Sequence, residues 1–191
     1  MTDAVSPGPS PRKAALRAEA LARRDALDLD DRLLWDEALV ENVLALPVFS
    51  QGPVSAYWPM RSEADPRPIL EALHARGVPL CLPAIVEKHM LFRRWAPWEP
   101  IVPGGFGTLV PKPEEPLIRP RVMIVPLAAF DRRGYRIGYG RGYYDRAIAE
   151  LEPAATVGIA YAAQEIEAVP AEAHDRRLDW VVTQDETIRC C

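Results

Sequence analysis

The chain has 191 residues and a formal net charge of −4. That is long enough for one domain to bury a real core, and too acidic for a general nucleic-acid binder, which needs a broadly basic surface. No apolar run approaches the roughly 20 residues of a membrane span, and the three cysteines match no disulfide framework or zinc spacing, which fits a reducing, cytoplasmic setting.

Residues 1–11 carry Pro7, Gly8, Pro9 and Pro11 but no apolar stretch, and are expected to be a disordered tail, not a signal peptide. Residues 12–191 then form a single domain. Ser10 before Pro11 is a helix start, with a capping serine and proline at the first helical position. Leu16, Ala20, Leu21 and Leu27 give that helix an apolar stripe. A second helix begins at Asp30 or Asp31, with Leu33, Leu34, Ala38, Leu39, Val43 and Leu44 at helical spacing before Pro47. Residues 54–58 read as a strand stopped by Pro59. Ser62 is expected to cap a third helix, with Pro66 in its first turn and Gly77 at its end.

Short apolar strands are expected at 78–82 and 90–95, with Cys81 as a small core residue. Residues 97–120 hold seven prolines and three glycines, too many for regular structure, so a long functional or mobile loop is expected. The unbroken apolar run 122–125 reads as a fully buried parallel strand. A helix over 143–151 and strands over 156–161 and 180–183 complete the chain. Strands alternating with helices imply an α/β domain with a mostly parallel sheet, whose ligands sit past the carboxyl ends of the strands.

The segment from Gly138 to Asp145 occupies such a position, between strand 122–125 and the helix that follows. Three glycines alternate with Tyr139 and Arg141, and residues 132–146 hold five arginines (Arg132, Arg133, Arg136, Arg141 and Arg146) against one acid, Asp145. A positive glycine loop feeding a helix N-terminus in an acidic protein points to an anion, with phosphate first. It lacks the Gly-Lys-Ser/Thr ending of a Walker loop, and its third glycine comes one residue too early for GxGxxG. A tight strand-to-helix connection with solvated arginines would look similar.

Three further groups carry chemistry or a plainer explanation. Lys13 and Arg17 share one helix face near the positive end of the helix dipole, which is unfavourable unless an anion is held there or the face is simply solvated. Asp145 and Asp179 could hold Mg²⁺ together with phosphate oxygens, or serve as a helix-start charge and a loop residue. Trp58 and Glu63 could stack on and hydrogen-bond a heteroaromatic ligand, or be a core tryptophan and a first-turn acid. No Ser-His-Asp or Cys-His arrangement is legible, and His74, His89 and His174 share no metal spacing.

Together, Lys13-x-x-x-Arg17, Trp58…Glu63, the 125–131 run Val-Pro-Leu-Ala-Ala-Phe-Asp, Gly138 to Asp145, and His174-Asp175…Leu178-Asp179 resemble the 5-formyltetrahydrofolate cyclo-ligase (methenyltetrahydrofolate synthetase) family. The resemblance implies a Rossmann-like, three-layer α/β/α sandwich. It also implies an ATP- and Mg²⁺-dependent closure of 5-formyltetrahydrofolate, with or without a polyglutamate tail, to 5,10-methenyltetrahydrofolate, releasing ADP and phosphate. By position, Lys13, Arg17 and Arg136, Ile137, Gly138, Tyr139, Gly140, Arg141, Gly142, Tyr143 and Tyr144 would hold ATP. Arg136, Arg141 and Tyr144 would act in catalysis. Trp58, Glu63 and Tyr143 would contact folate, and Asp145 and Asp179 would hold Mg²⁺. Neither nucleic acid nor membrane is an expected partner, and a monomer is expected. The alternative is a non-catalytic nucleotide- or folate-binding protein on the same scaffold.

Overall fold

The structure, a computed structural model, describes residues 11–190. The expected Ser10 cap, the rest of the expected tail before Pro11, and Cys191 lie outside the described residues. Helix α1 (Pro11–Asp25) opens at Pro11 itself. Helix α2 (Leu29–Leu44) starts one or two residues earlier than expected, because Asp28 is its cap: the Asp28 carboxylate accepts from the Asp30 amide at 2.8 Å.

Strand β1 (Val54–Ser55) leads to helix α3 (Arg67–Ala75), then to β2 (Leu80–Val86) and β3 (His89–Arg94). Ser62 does not cap α3. The helix begins after Pro66, with Asp65 accepting from the Arg67 amide at 2.9 Å, and Ser62 is drawn to Arg24 instead. Gly77 ends α3 as expected, at φ +79°. The 97–120 segment is not free of regular structure: β4 (Ile101–Pro103) and β5 (Leu109–Pro111) pair antiparallel around a short 3-10 turn at Gly105–Gly107. Two-stranded pairing survives here because each proline sits at a strand end.

Strand β6 (Val122–Val125) is followed by a hairpin of β7 (Ala129–Phe130) and β8 (Arg136–Ile137), helix α4 (Tyr143–Leu151), and strands β9 (Ala155–Ile159), β10 (Trp180–Val182) and β11 (Thr187–Arg189). The main sheet runs β11-β10-β9-β6-β1-β2-β3. Its five inner strands are parallel, and each edge is closed by an antiparallel partner, β11 on β10 and β3 on β2.

Period-two alternation sorts the sheet's side chains into two cores. Val122 and Ile124 join Leu39, Val43, Ile69 and Leu73 under α2 and α3. Met123 and Val125 face Ala147, Ile148 and Leu151 of α4 on the other side. The result is a three-layer α/β/α sandwich around a mostly parallel sheet. Gly158 lies where β9 meets the second core, and an added Cβ would stand 2.6 Å from the Leu178 side chain. Helix α1 lies apart from these layers, packing Ala20 against Ala129 and Ile137 of the β7–β8 hairpin and against Val169 from the loop after β9. That docking carries Lys13 and Arg17 to the segment after β8.

Candidate active site

A cleft of about 670 Å³ opens past the carboxyl ends of β1 and β6, where a parallel sheet places its ligands. One half is apolar, with Pro83 and Ile85 from β2, Met90 from β3, Leu109 from β5 and Trp58 after β1. The other half is built from the glycine segment and the start of α4. The β4–β5 hairpin therefore has a place in the site, contributing Gly105, Thr108 and Leu109 to its wall.

The glycines act in three different ways. Gly140 and Gly142 have φ of +85° and +63°, backbone that disfavours a side chain. Gly142 is also the N-cap of α4, and no side chain caps that end, so its first amides remain available to an anion. Gly138 has no positive φ, and an added Cβ would meet nothing within 4 Å. Neither conformation nor packing requires glycine there, and the space it leaves is open cleft.

Of the five arginines, Arg136, Arg141 and Arg146 line the cleft. Arg132 and Arg133 turn away: Arg132 pairs with Glu165 and Glu186, and Arg133 with the buried Asp131. Arg136 is anchored by donating to the Arg176 carbonyl at 2.8 Å and to Asp145 Oδ1 at 3.0 Å. The Arg176 amide also donates to Asp145 Oδ1, at 3.0 Å. Only that oxygen of Asp145 carries a hydrogen bond among the described residues, which leaves Oδ2 able to ligate. Arg17 donates from Nε to the Gly138 carbonyl at 2.6 Å, and burial pulls its pKa down.

Lys13 is buried between Glu172 at 2.8 Å and Asp175 at 2.6 Å. Burial pulls its ammonium down, but the two carboxylates outweigh it and hold the pKa above the ordinary value. Glu172, His174 and Asp175 bring ligand-type atoms within 4.8 Å of one another. The Lys13 ammonium already supplies a cation to two of them. These acids were not singled out as site residues by sequence, although a lysine buried in a helix demands a carboxylate partner somewhere.

Glu63 sits at the junction of the two halves. Its carboxylate accepts from the Met60 amide at 2.8 Å and from the Tyr139 hydroxyl at 2.6 Å. Burial raises its pKa, while those two bonds and the Arg24 charge act against the rise. Burial, then Glu63, pushes the Tyr139 phenol up to about 12. Tyr144 lines the same wall, its hydroxyl buried and without a hydrogen-bond partner among the described residues; burial first, then Glu63, raises its pKa well above the ordinary range. Trp58 is held by edge-on contact with Trp95 and by the Arg67 guanidinium over its ring at 5.3 Å. Tyr143 lies under Arg146 at 5.0 Å.

Lys13, Arg17, Trp58, Glu63 and every residue from Arg136 to Asp145 thus line one cleft. Asp179 does not join them. It stands at the amino ends of β9 and β10, where its carboxylate accepts from the Thr156 amide at 2.7 Å and the Thr156 hydroxyl at 2.8 Å. The cleft is past the opposite ends of the strands.

Fold and cleft define a class: a mostly parallel α/β protein whose cleft joins a basic, glycine-lined half to an apolar slot. The profile of the 5-formyltetrahydrofolate cyclo-ligase family matches residues 9–184. The 5-formyltetrahydrofolate cyclo-ligase of Mycolicibacterium smegmatis is 31% identical over 185 residues, covering 91% of this chain and 95% of that protein. The Escherichia coli K12 protein of the same name is 33% identical over 146 residues, covering 72% of this chain and 80% of its own length. Among solved structures, 5,10-methenyltetrahydrofolate synthetase of Aquifex aeolicus superposes with a TM-score of 0.82 at 31% identity, covering 93% of this chain and 92% of that one. The chain belongs to the 5-formyltetrahydrofolate cyclo-ligase family, and is an enzyme of the ligase class.

Proposed function

We propose that this enzyme closes 5-formyltetrahydrofolate to 5,10-methenyltetrahydrofolate at the expense of Mg²⁺-ATP, releasing ADP and phosphate. The observation that carries the nucleotide half is the N-terminus of α4, uncapped by any side chain behind three glycines and flanked by Arg136, Arg17 and Lys13. The apolar slot beside it, with Trp58 for stacking and Glu63 for hydrogen bonding, suits a reduced pterin.

An N-formyl carbon is a poor electrophile, and its oxygen a poor leaving group. In the proposed reaction the formyl oxygen forms a bond to the γ-phosphorus as the bond from phosphorus to the bridging oxygen breaks and ADP leaves. The neighbouring folate nitrogen then donates its electron pair to the formyl carbon and loses its proton. The carbon–oxygen bond breaks last, and its electron pair departs with phosphate.

The substrate thus supplies both nucleophiles, and the protein's residues position and neutralise. The α4 amides, Arg136 and Arg141 bind the transferring phosphoryl group, and Lys13 and Arg17 the rest of the polyphosphate. The Tyr144 hydroxyl donates to the reacting oxygen. Glu63 orients the pterin through its N–H groups, with Trp58 and Tyr143 against the ring system. Asp145 fits Mg²⁺ through its open Oδ2, and the ion, when bound, would offset phosphate charge there. Asp179, tied to Thr156 at the far end of the strands, has no part in this reading. The working unit is taken as a monomer in the cytoplasm, where the thiols of Cys81 and Cys190 stay free.

Purified protein given Mg²⁺-ATP and 5-formyltetrahydrofolate should form the methenyl chromophore and ADP in equal amounts. Folate binding without chromophore or ADP, with both substrates and metal present, would make the chain a binding protein on this scaffold.

A further inference from the structure

Arg24 on α1 is the largest of the fully buried side chains, its guanidinium only 1% exposed. A charge in the interior is costly unless hydrogen-bonded and paired. Yet Arg24 donates to two neutral hydroxyls, from Nε to Ser62 Oγ at 3.0 Å and from Nη1 to Tyr139 at 3.2 Å. Asp25, the acid beside it, lies 3.9 Å from Nε and is half exposed. Ser62 passes one link outward to Asp25. Tyr139 passes the other inward, donating to Glu63 Oε1 at 2.6 Å.

Chemistry fixes the direction of this chain. A guanidinium can only donate and an ionised carboxylate can only accept, so the phenol between them accepts from Arg24 and donates to Glu63. Each bond then polarises the next.

Three parts of the site meet here. Arg24 shares α1 with Arg17, which holds the Gly138 carbonyl. Tyr139 belongs to the glycine segment, and Ser62 and Glu63 to the stretch after Trp58. Arg24 itself is not among the residues lining the cleft. We propose that Arg24 is a positioning residue that couples the two halves of the site. By holding Tyr139 and Ser62 together, it makes the glycine-segment arrangement that receives polyphosphate and the Glu63 arrangement that receives the pterin one state. The proposal rests on the two-substrate reading above. Ordering either half lowers the cost of ordering the other, and linkage makes the effect reciprocal.

The test is an equilibrium titration of 5-formyltetrahydrofolate with and without a non-hydrolysable ATP analogue and Mg²⁺. It is run on wild type, Tyr139→Phe, Arg24→Met and the double variant. In wild type the analogue should tighten folate binding by a factor within about 5–150, the usual range for coupled sites. Tyr139→Phe, which loses only a hydroxyl, should bring that ratio toward one, and the double variant should go no further than either single. Because Tyr139→Phe keeps the ring, the test stands even if Arg24→Met does not fold. A wild-type ratio of one, or a Tyr139→Phe ratio equal to wild type, overturns the proposal. So does an Arg24→Met protein with a lower melting temperature and an unchanged ratio, the mark of a merely structural arginine. Intact turnover alongside an unchanged ratio sinks the coupling alone, whereas wild type that binds no folate in either condition sinks the functional reading and the coupling with it.

Discussion

Burying a phenol with no hydrogen-bond partner costs about 1–3 kcal/mol, and Tyr144, whose hydroxyl has none among the described residues, carries that cost in the wall of the cleft. Packing gives no reason for the hydroxyl, because phenylalanine would fill the same space. A donor held ready for an oxygen that arrives with the substrate does give one. Tyr144→Phe should therefore leave stability unchanged or raise it by up to about 1–3 kcal/mol, while lowering kcat about 10²-fold or more. Urea unfolding and turnover on the same preparation check both halves. A destabilised variant with normal kcat would make Tyr144 a packing residue. Arg24 belongs to the same scale, and nothing in its sequence surroundings marks it: arginine late in a helix is ordinarily solvated and favoured by the dipole. Only the fold reveals that it points inward.

Among the elements, the passage from β6 to α4 separates a glycine that the fold requires from one that it does not. Gly134 has φ +87°, and an added Cβ would stand 2.5 Å from the Leu178 carbonyl and 2.7 Å from Cys190 Cβ. Gly138 has neither constraint. Gly134→Ala should lose at least the roughly 1–2 kcal/mol of a left-handed residue with a side chain, with further loss from the clash. Gly138→Ala should melt like wild type and show a raised KM for ATP. Thermal unfolding and ATP titration separate the two. A Gly138→Ala protein with unaltered KM would remove that glycine from the nucleotide site.

The glycine–arginine pattern was legible here because spacing, charge imbalance and position after a buried strand all agreed. What spacing could not show is direction. Arg132 and Arg133 turn to acids outside the cleft, and Ser62 satisfies Arg24 and Asp25 instead of a helix end. Proline counting misjudged 97–120, since prolines at strand ends leave room for a hairpin.

At the scale of the whole molecule, strand–helix alternation was enough to expect a mostly parallel sheet between helical layers, and the place of a ligand past its strand ends. The antiparallel closures were not legible: a short apolar run such as β3 does not disclose the direction of its partner, and β11, with Ile188 alone apolar between Thr187 and Arg189, gave no strand signal at all. The same blindness explains Asp179. Its position just before a strand looks equivalent to that of a site residue, yet in a parallel sheet the start of β10 is the end remote from the cleft. The residues that do converge, Lys13 and Arg17 from α1, Trp58 and Glu63 after β1, and Arg136 to Asp145 before and within α4, do so because the sheet order sets β1 beside β6. That adjacency sets the proposed folate side against the proposed phosphate side, and the central claim is that the formyl oxygen crosses between them. The most direct measurement follows that atom, using 5-formyltetrahydrofolate labelled with ¹⁸O in the formyl group and mass analysis of the products after complete turnover with Mg²⁺-ATP. The account predicts that the label is recovered in inorganic phosphate, one atom per methenyl group formed. Methenyl product formed with unlabelled phosphate would contradict it.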